Sequence, residues 1–471
     1  MRILLVTPKY RKVKVRWMPL GICYIAAALE AKGHQVQIFD RHLYSADNGS
    51  NRANSDMLKA INQFLPDIIG FNTVTPVIHD TIEAVKSART IYSNTIVLGG
   101  HHATAMPELT LQRLTEADAV IVGEGELPFC MLADGEKRDA IPGLYWREGD
   151  KISGNKNKVS AVNLDLMRLP AYHLLDMDYY TKQNRVTIHN FYLRVGSILT
   201  SRGCKNRCEY CTESLTYSGG VRYHSTDYII ENIELLVRDY KCNGITFLDN
   251  DFLADRGKAE DVLRKLIARK LNRDMKFCIQ ARVTGIDRDI ALLLKKAGCC
   301  KVEFGLESAD EMVLAKMKKN ATVNEAEKAV EICNKNGIGV QANLIMGFEG
   351  ETIECMDRTF GWIKGLAIDN FKFSMLSLYP GSNLYADKGD SFFENNQWTE
   401  ENIGRFFNTD RLSAINPEER KEWLKKTSFF NRYLHHITLW KYNPVSLCLN
   451  HYYEAFGEKG WFKRKIKQVG N

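Results

Sequence analysis

The chain has 471 residues, 45% of them hydrophobic and 26% charged. That composition excludes a disordered chain, a collagen-like repeat and a small disulfide-stapled fold, and the length suits about two to four domains. A net charge of +7 is small for such a chain and gives no argument for nucleic acid as a partner. No uncharged apolar run reaches the roughly 18 residues a spanning helix needs. The stretch from Met1 to Tyr10 reads as a buried strand rather than an export signal. Twelve cysteines without such a signal suit a reducing, cytoplasmic compartment, with the scattered ones serving as small buried apolar residues.

In chain order, Ile3 to Val6 is a β-rich run, followed by helical spacing over 19–32 that stops at Gly33. Val36 to Phe39, Ile68 to Phe71, Ile96 to Leu98 and Ala119 to Val122 continue the series, with helical stretches between most of them. This α/β alternation predicts a Rossmann-like, doubly wound parallel sheet over 1–130, with ligands at the carboxyl ends of its strands. Residues 131–193 lose the rhythm. Leu144 to Trp146, the turn Glu148-Gly149-Asp150 and Lys151 to Ile152 predict a small hairpin within a linker.

Over 194–385 the alternation resumes, with strands predicted at Val195–Thr200, Ile245–Leu248, Met275–Ile279, Lys301–Gly305, Val340–Ile345 and Phe371–Leu378. The intervening helices start at Ser225 or Thr226, run from Asp287 to Lys296 before Gly298, and run from Asn324 to Asn336 before Gly337. Six strands are too few for a closed eightfold barrel. A partial (β/α)6 barrel fits, and spacing alone leaves an open doubly wound sheet as the alternative. Residues 386–471 are aromatic and basic, and are expected to be helical.

Just past the first strand of this second series stand Cys204, Cys208 and Cys211, as CxxxCxxC beside Gly203. A structural zinc ion wants four ligands, and His224 is only a weak fourth candidate. A [4Fe–4S] cluster held by three thiolates keeps one iron open for an outside ligand. Arg202, Lys205 and Arg207 flank the thiolates and would offset the cluster's charge.

With these cysteines, residues 195–385 resemble the radical S-adenosylmethionine (SAM) enzymes. The resemblance implies that the open iron chelates SAM and that an electron from the cluster cleaves it to a 5′-deoxyadenosyl radical. Further matching stretches are Tyr210 before the third cysteine, Phe247 to Phe252, Gly305-Leu306-Glu307-Ser308, Ile345 to Glu351 with its turn at Gly347, and Tyr379-Pro380-Gly381-Ser382. It implies Tyr210 and Gly347 near the adenine. Asp249, Asp251, Gln280, Arg282 and Glu307, at strand carboxyl ends, are expected to bind SAM, although ordinary capping or pairing would also place them there.

The N-terminal portion resembles the cobalamin-binding domain fused to many such enzymes. It does so at Met18-Pro19-Leu20-Gly21, Lys32-Gly33-His34, Gly99-Gly100-His101-His102-Ala103-Thr104 and Gly123-Glu124-Gly125-Glu126. Small residues there would let the backbone approach a corrin. Leu20, Gly99, Gly100, His101 and Gly123 to Glu126 are expected to contact it, with the Thr73 and Thr75 hydroxyls near its nucleotide tail. The cobalt-ligating DxHxxG pattern of many cobalamin domains does not follow the first strand, and His42, after the second, lacks its glycine.

The resemblance implies a cobalamin-dependent radical methyltransferase that moves a methyl group to an unactivated carbon through methylcobalamin. Two alternatives are a radical ring-forming or oxidative enzyme on a tetrapyrrole or other planar molecule, and a non-catalytic iron–sulfur electron-transfer or sensing protein. Expected partners are a small, hydrophobic or planar substrate and a reductant protein such as ferredoxin or flavodoxin. The aromatic tail reads as a cap on the barrel, a pocket wall, or a peripheral membrane contact through Trp461, Phe462, Lys463, Arg464, Lys465 and Lys467.

Overall fold

The computed structural model describes residues 1–10, 16–44, 51–157, 163–184, 187–188, 191–213, 217, 220–388, 391–408, 415–416, 418–425 and 427. The aromatic and basic positions from Phe429 to Lys467 lie outside the described residues.

The first five apolar runs form parallel strands: β1 (Arg2–Thr7), β2 (Gln35–Asp40), β3 (Ile68–Asn72), β4 (Thr95–Gly99) and β5 (Ala119–Ile121). Helices cover them, among them Leu20–Ala31 and Ile78–Arg89, so β1, β3 and β5 are buried almost throughout. The spatial order β2-β1-β3-β4-β5 changes direction at β1. Connections from β1 leave in opposite directions, which opens a crevice at the carboxyl ends of β1 and β3. The hairpin expected in the linker extends this sheet instead. β6 (Leu144–Glu148) pairs antiparallel with β5, and β7 (Lys151–Gly154) pairs with β6. The short strand β5 would otherwise present an open row of backbone donors and acceptors.

The second sheet contains β8 (Val195–Ile198), β11 (Gly244–Phe247), β12 (Lys276–Ala281), β13 (Cys299–Glu307), β14 (Gly339–Met346) and β15 (Asn370–Met375), all parallel and adjacent in chain order. When strand order follows chain order, every right-handed crossover falls on the same side. The helices therefore cover one face, as in a partial barrel, and the doubly wound alternative is excluded. Their ends follow the local chemistry. Ser225, Asp287 and Thr322 accept backbone N–H bonds as N-caps, and Gly298 ends the helix Arg288–Ala297 in the left-handed region.

The two faces of this sheet differ. Val302, Phe304, Val340, Ala342 and Leu344 are buried in the core beneath the helices. Their strand neighbours Lys301, Glu303, Gln341 and Asn370 form a polar chain on the other face. Lys301 Nζ donates to Asn370 Oδ1 (3.3 Å), Asn370 Nδ2 to Gln341 Oε1 (2.8 Å) and Gln341 Nε2 to Glu303 Oε2 (3.2 Å). Closed barrels fill this face with branched apolar residues; here it is hydrophilic.

The segment between the sheets is packed, not loose. Tyr172 is buried and donates to Ser197 O, and Tyr180 donates to Asp40. One continuous core joins Leu20, Tyr24 and Leu29 of the first unit to Ile229, Ile233 and Leu236 of the second. The described C-terminal part is helical at Asn383–Lys388, Phe392–Asn395 and Glu400–Asn408. It straps across both units: Phe393 and Trp398 pack in one cluster with Ile78 and Met106 of the first and Val313 and Phe348 of the second.

Candidate active site

The three cysteines sit on a loop whose base is fixed twice. A two-stranded ribbon, β9 (Ser201–Arg202) against β10 (Arg222–Tyr223), closes it. Asp249, 1% exposed at the end of β11, accepts from Thr200 N (3.1 Å), Thr200 Oγ1 (2.7 Å) and Ser201 Oγ (2.5 Å). Burial raises the Asp249 carboxyl against the pull of these bonds. Its oxygens hold the strand that enters the loop. Gly203 has φ +93°, and a Cβ there would stand 2.4 Å from Gly220 O, so this position requires glycine. On its far side the loop is tied by Glu209 N donating to Met317 O (3.2 Å) and Leu384 N donating to Glu209 O (2.9 Å).

Cys208 is buried, while Cys204 and Cys211 are partly exposed. Asn206 Nδ2 lies 3.6 Å from Cys204 Sγ. Burial pushes the Cys211 thiol up to about 11 against the pull of a backbone bond at Glu213, and the charges of Glu213, Cys208 and Cys204 add to the rise. The three sulfurs therefore share one neighbourhood. Among the described residues no three Cys, His, Asp or Glu side chains converge on a single ion. A cluster needs no such convergence, because each thiolate takes a different iron, and the donor set fits it. The His224 ring is stacked on the Tyr228 ring, with 4.0 Å between centroids.

At the end of β13, Glu307 (φ +62°) is buried and accepts from Lys319 Nζ (2.6 Å) and Tyr210 OH (3.0 Å). Tyr210, the residue before the third cysteine, is thereby tied to the strand end. Burial and Glu307 both raise its phenol. Asp251 and Arg282 line a cavity of about 400 Å³ beside the loop residues Lys205 and Asn206. Arg282 N donates to Asp251 Oδ1 (3.3 Å), and its guanidinium is spent on the carbonyls of Lys319 and Asn320. Gln280 does not line this cavity; its carbonyl accepts from Phe252 N (2.9 Å). At the turn after β14, Gly347 N donates to Glu351 Oε2 (2.5 Å). Burial pushes Glu351 up to about 7, although two backbone N–H groups oppose the shift.

The crevice of the first sheet holds a cavity of about 380 Å³. Its walls include the apolar side chains Leu5, Val97, Ile121 and Phe129, and its rim includes Leu20, Gly99, Gly100, His101 and the run Gly123 to Glu126. Gly100 has φ +103°, and a Cβ there would lie 2.3 Å from Asn72 Oδ1 and 2.6 Å from Thr73 O. An apolar shaft with a glycine rim fits the tail of a corrin. Thr73 and Thr75, expected at the tail, do not line this cavity. Thr73 Oγ1 donates to Gly99 O (2.8 Å) and accepts from Ala103 N (3.0 Å), and Thr75 Oγ1 meets His102 Nδ1 (3.2 Å). Both hydroxyls are used up in shaping the loops. His102 points away, edge-on to Trp398 at 4.7 Å, and burial pushes its imidazole down to about 3. His42 is boxed by Tyr10, Tyr179 and Tyr180 and does not line the cavity either.

Two groups of contacts escaped sequence reasoning. Arg202 does not face the thiols with its charge. Its guanidinium donates to Glu124 Oε1 (3.1 Å) and Glu126 Oε1 (2.7 Å) on the rim of the other sheet's cavity. Lys319 and the polar chain Lys301, Glu303, Gln341 and Asn370 were also unmarked. For Lys301, Glu303 and Gln341 the signal was the strict alternation of polar and apolar residues in Lys301 to Gly305 and Val340 to Asn343.

Comparison with known proteins agrees with this geometry. Residues 198–363 match the family model of the radical SAM superfamily, and residues 9–133 match that of the B12 binding domain. A protein of Pyrococcus horikoshii named as an uncharacterized methyltransferase is 32% identical over 82% of this chain and 82% of its own. The anaerobic magnesium-protoporphyrin IX monomethyl ester cyclase of Rubrivivax gelatinosus is 27% identical over 83% of this chain and 70% of its own. Among solved structures, the radical SAM methyltransferase TsrM of Kitasatospora setae, bound to tryptophan and a SAM analogue, superposes with a TM-score of 0.70. It shares 20% identity over 81% of this chain and 74% of that one, a likeness of fold.

Proposed function

Because the chain belongs to the radical SAM enzymes that carry a B12-binding domain, we propose that it transfers a methyl group to an unactivated carbon of a small, hydrophobic or planar substrate. The observation that carries this reading is a shared wall. Leu199, Arg202 and Tyr217, which flank the cysteine loop in sequence, line the cavity of the N-terminal sheet. Two cofactor sites built on separate sheets thus adjoin, and proximity is the main thing such a protein supplies.

When bound, the cluster supplies the electron that cleaves SAM, and cobalamin carries the methyl group. The chain's own residues do the rest. Cys204, Cys208 and Cys211 would hold the cluster. Asp249 fixes their loop from below, and Tyr210, bonded to Glu307, fixes it from the strand end. Glu307 and its partner Lys319, the Asp251–Arg282 pair and the turn at Gly347 are the groups at the mouth that would receive SAM. Gly99, Gly100, His101 and the run Gly123 to Glu126 would border the corrin, over an apolar shaft that excludes water from its tail. The hydrophilic inner face at Glu303 and Gln341 would orient polar groups of the substrate.

A ring-forming reaction on a tetrapyrrole is the second reading, favoured by the likeness to the protoporphyrin ester cyclase. Incubating the anaerobically reconstituted chain with methyl-labelled SAM and substrate separates the two. Label in the product supports methyl transfer; a new ring without label supports the alternative. Ferredoxin or flavodoxin is proposed as the electron source. Among the described residues no helix is long and apolar enough to cross a membrane. Peripheral contact through Trp461 and the lysines beside it stays a proposal. A cytoplasmic location is supported by the described cysteines, which are all free thiols.

A further inference from the structure

Arg202 stands immediately before Gly203-Cys204, yet its charge is directed at the other sheet. Both terminal nitrogens are engaged, one with Glu124 at 3.1 Å and one with Glu126 at 2.7 Å. Arg222, its partner across the β9–β10 ribbon, also reaches Glu124. The side chains of Arg202, Glu124 and Glu126 are 5%, 9% and 11% exposed, so water screens these pairs little. The Arg202 guanidinium also lies over the Tyr24 ring at 4.9 Å. Arg202, Tyr24, Glu124 and Glu126 are all walls of the 380 Å³ cavity. Tyr217, on the other side of the cysteine loop, is a wall as well. Both ends of the loop that carries the thiols are therefore part of the cavity of the B12-binding domain. A ligand that sets the position of Glu124 and Glu126 also sets the anchor of Cys204.

We propose that Arg202 is a positioning residue that couples the two cofactor sites, so that filling the cavity with cobalamin and building the cluster on the adjoining loop favour each other. The inference rests on the assignment of those two cofactors. Coupling of this kind is reciprocal: a loop ordered by its cluster holds the Arg202–Glu126 pair in place for the corrin, and a bound corrin holds the loop for the cluster. The guanidinium bridges two carboxylates through two nitrogens of one rigid plane, a geometry an arginine supplies and a lysine does not.

The test compares hydroxocobalamin affinity of the full chain without its cluster and after anaerobic reconstitution. In the wild-type chain the dissociation constant is expected to fall by at least about fivefold when the cluster is present, the lower end of ordinary coupling. In Arg202→Gln that ratio is expected to approach one, with iron and sulfide content retained. Arg202→Lys is expected to restore part of it. Glu126→Gln, which leaves Arg202 its bond to Glu124, is a milder second variant and should lower the ratio without unfolding the chain. A purely structural role would weaken both affinities equally and keep the ratio, which would overturn the proposal. So would a ratio of one in the wild-type chain. A chain that takes up neither cofactor would instead overturn the assignment beneath it.

Discussion

The two parallel sheets are made from the same alternation of strand and helix, and they offer opposite surfaces to a ligand. In the first, the order β2-β1-β3-β4-β5 changes direction once. Helices pack on this sheet, and at its carboxyl edge lies an apolar crevice rimmed by glycine. In the second, chain order and spatial order coincide. Among the described residues its helices lie on one face, and the other carries Lys301, Glu303, Gln341 and Asn370 in a hydrogen-bonded chain. Strand order thus decides whether helices cover both faces of a parallel sheet or one, and the side chains Lys301, Glu303, Gln341 and Asn370 make the uncovered face polar here.

The contrast is most severely broken at the cysteine loop. Replacing Cys204, Cys208 or Cys211 with alanine is expected to reduce 5′-deoxyadenosine formation to background and to cut iron content, both measurable on the anaerobically reconstituted protein. The first sheet should stay folded and keep hydroxocobalamin affinity within the coupling described above. Next in size is the polar mouth. Lys319→Met leaves the buried Glu307 carboxylate without its cation, a loss of about 3–5 kcal/mol in stability for a broken buried pair. Chemical denaturation reads it, and Glu307→Gln added to Lys319→Met should recover much of the loss.

On the other sheet, Gly100→Ala forces a side chain into φ +103° against Asn72 and Thr73. It should cost about 2 kcal/mol and weaken hydroxocobalamin binding, while iron uptake by the chain is retained. The remaining effect is electrostatic. Burial raises Glu351 from its ordinary 4.5 to about 7. The contribution of this group to stability is therefore full below about 4.5 and is lost as pH rises through 7. Glu351→Gln should flatten that part of the stability–pH curve. His102 has the opposite sign: lowered to about 3, it contributes fully above 6.5 and loses that contribution as pH falls. Denaturation midpoints from pH 4 to 8 in wild type and Glu351→Gln separate the two.

Much of this was legible in the sequence because it is local. Runs such as Ile3 to Val6, the caps Ser225 and Asp287, the stop at Gly298 and the spacing of the three cysteines are each set within a few residues. The rim residues Leu20, Gly99, Gly100, His101 and Gly123 to Glu126 were found by resemblance and do line one cavity. What was not legible depends on distant partners. Arg202 beside the thiols reads as a counter-charge, but its acceptor Glu126 is 76 positions away. Thr73 and Thr75 occur at the expected loop, but whether a hydroxyl faces a cavity or a neighbouring backbone depends on a fold-level register. Whether six strands make a barrel or an open sheet depends on pairing order, which spacing does not carry.

The most direct measurement is the electron paramagnetic resonance spectrum of the reduced, anaerobically reconstituted chain, recorded with and without SAM. A [4Fe–4S] signal that changes shape when SAM is added, and that is missing from Cys208→Ala, is the predicted result. A signal that ignores SAM, or a protein that holds zinc and no iron–sulfur cluster at these thiols, would contradict the account.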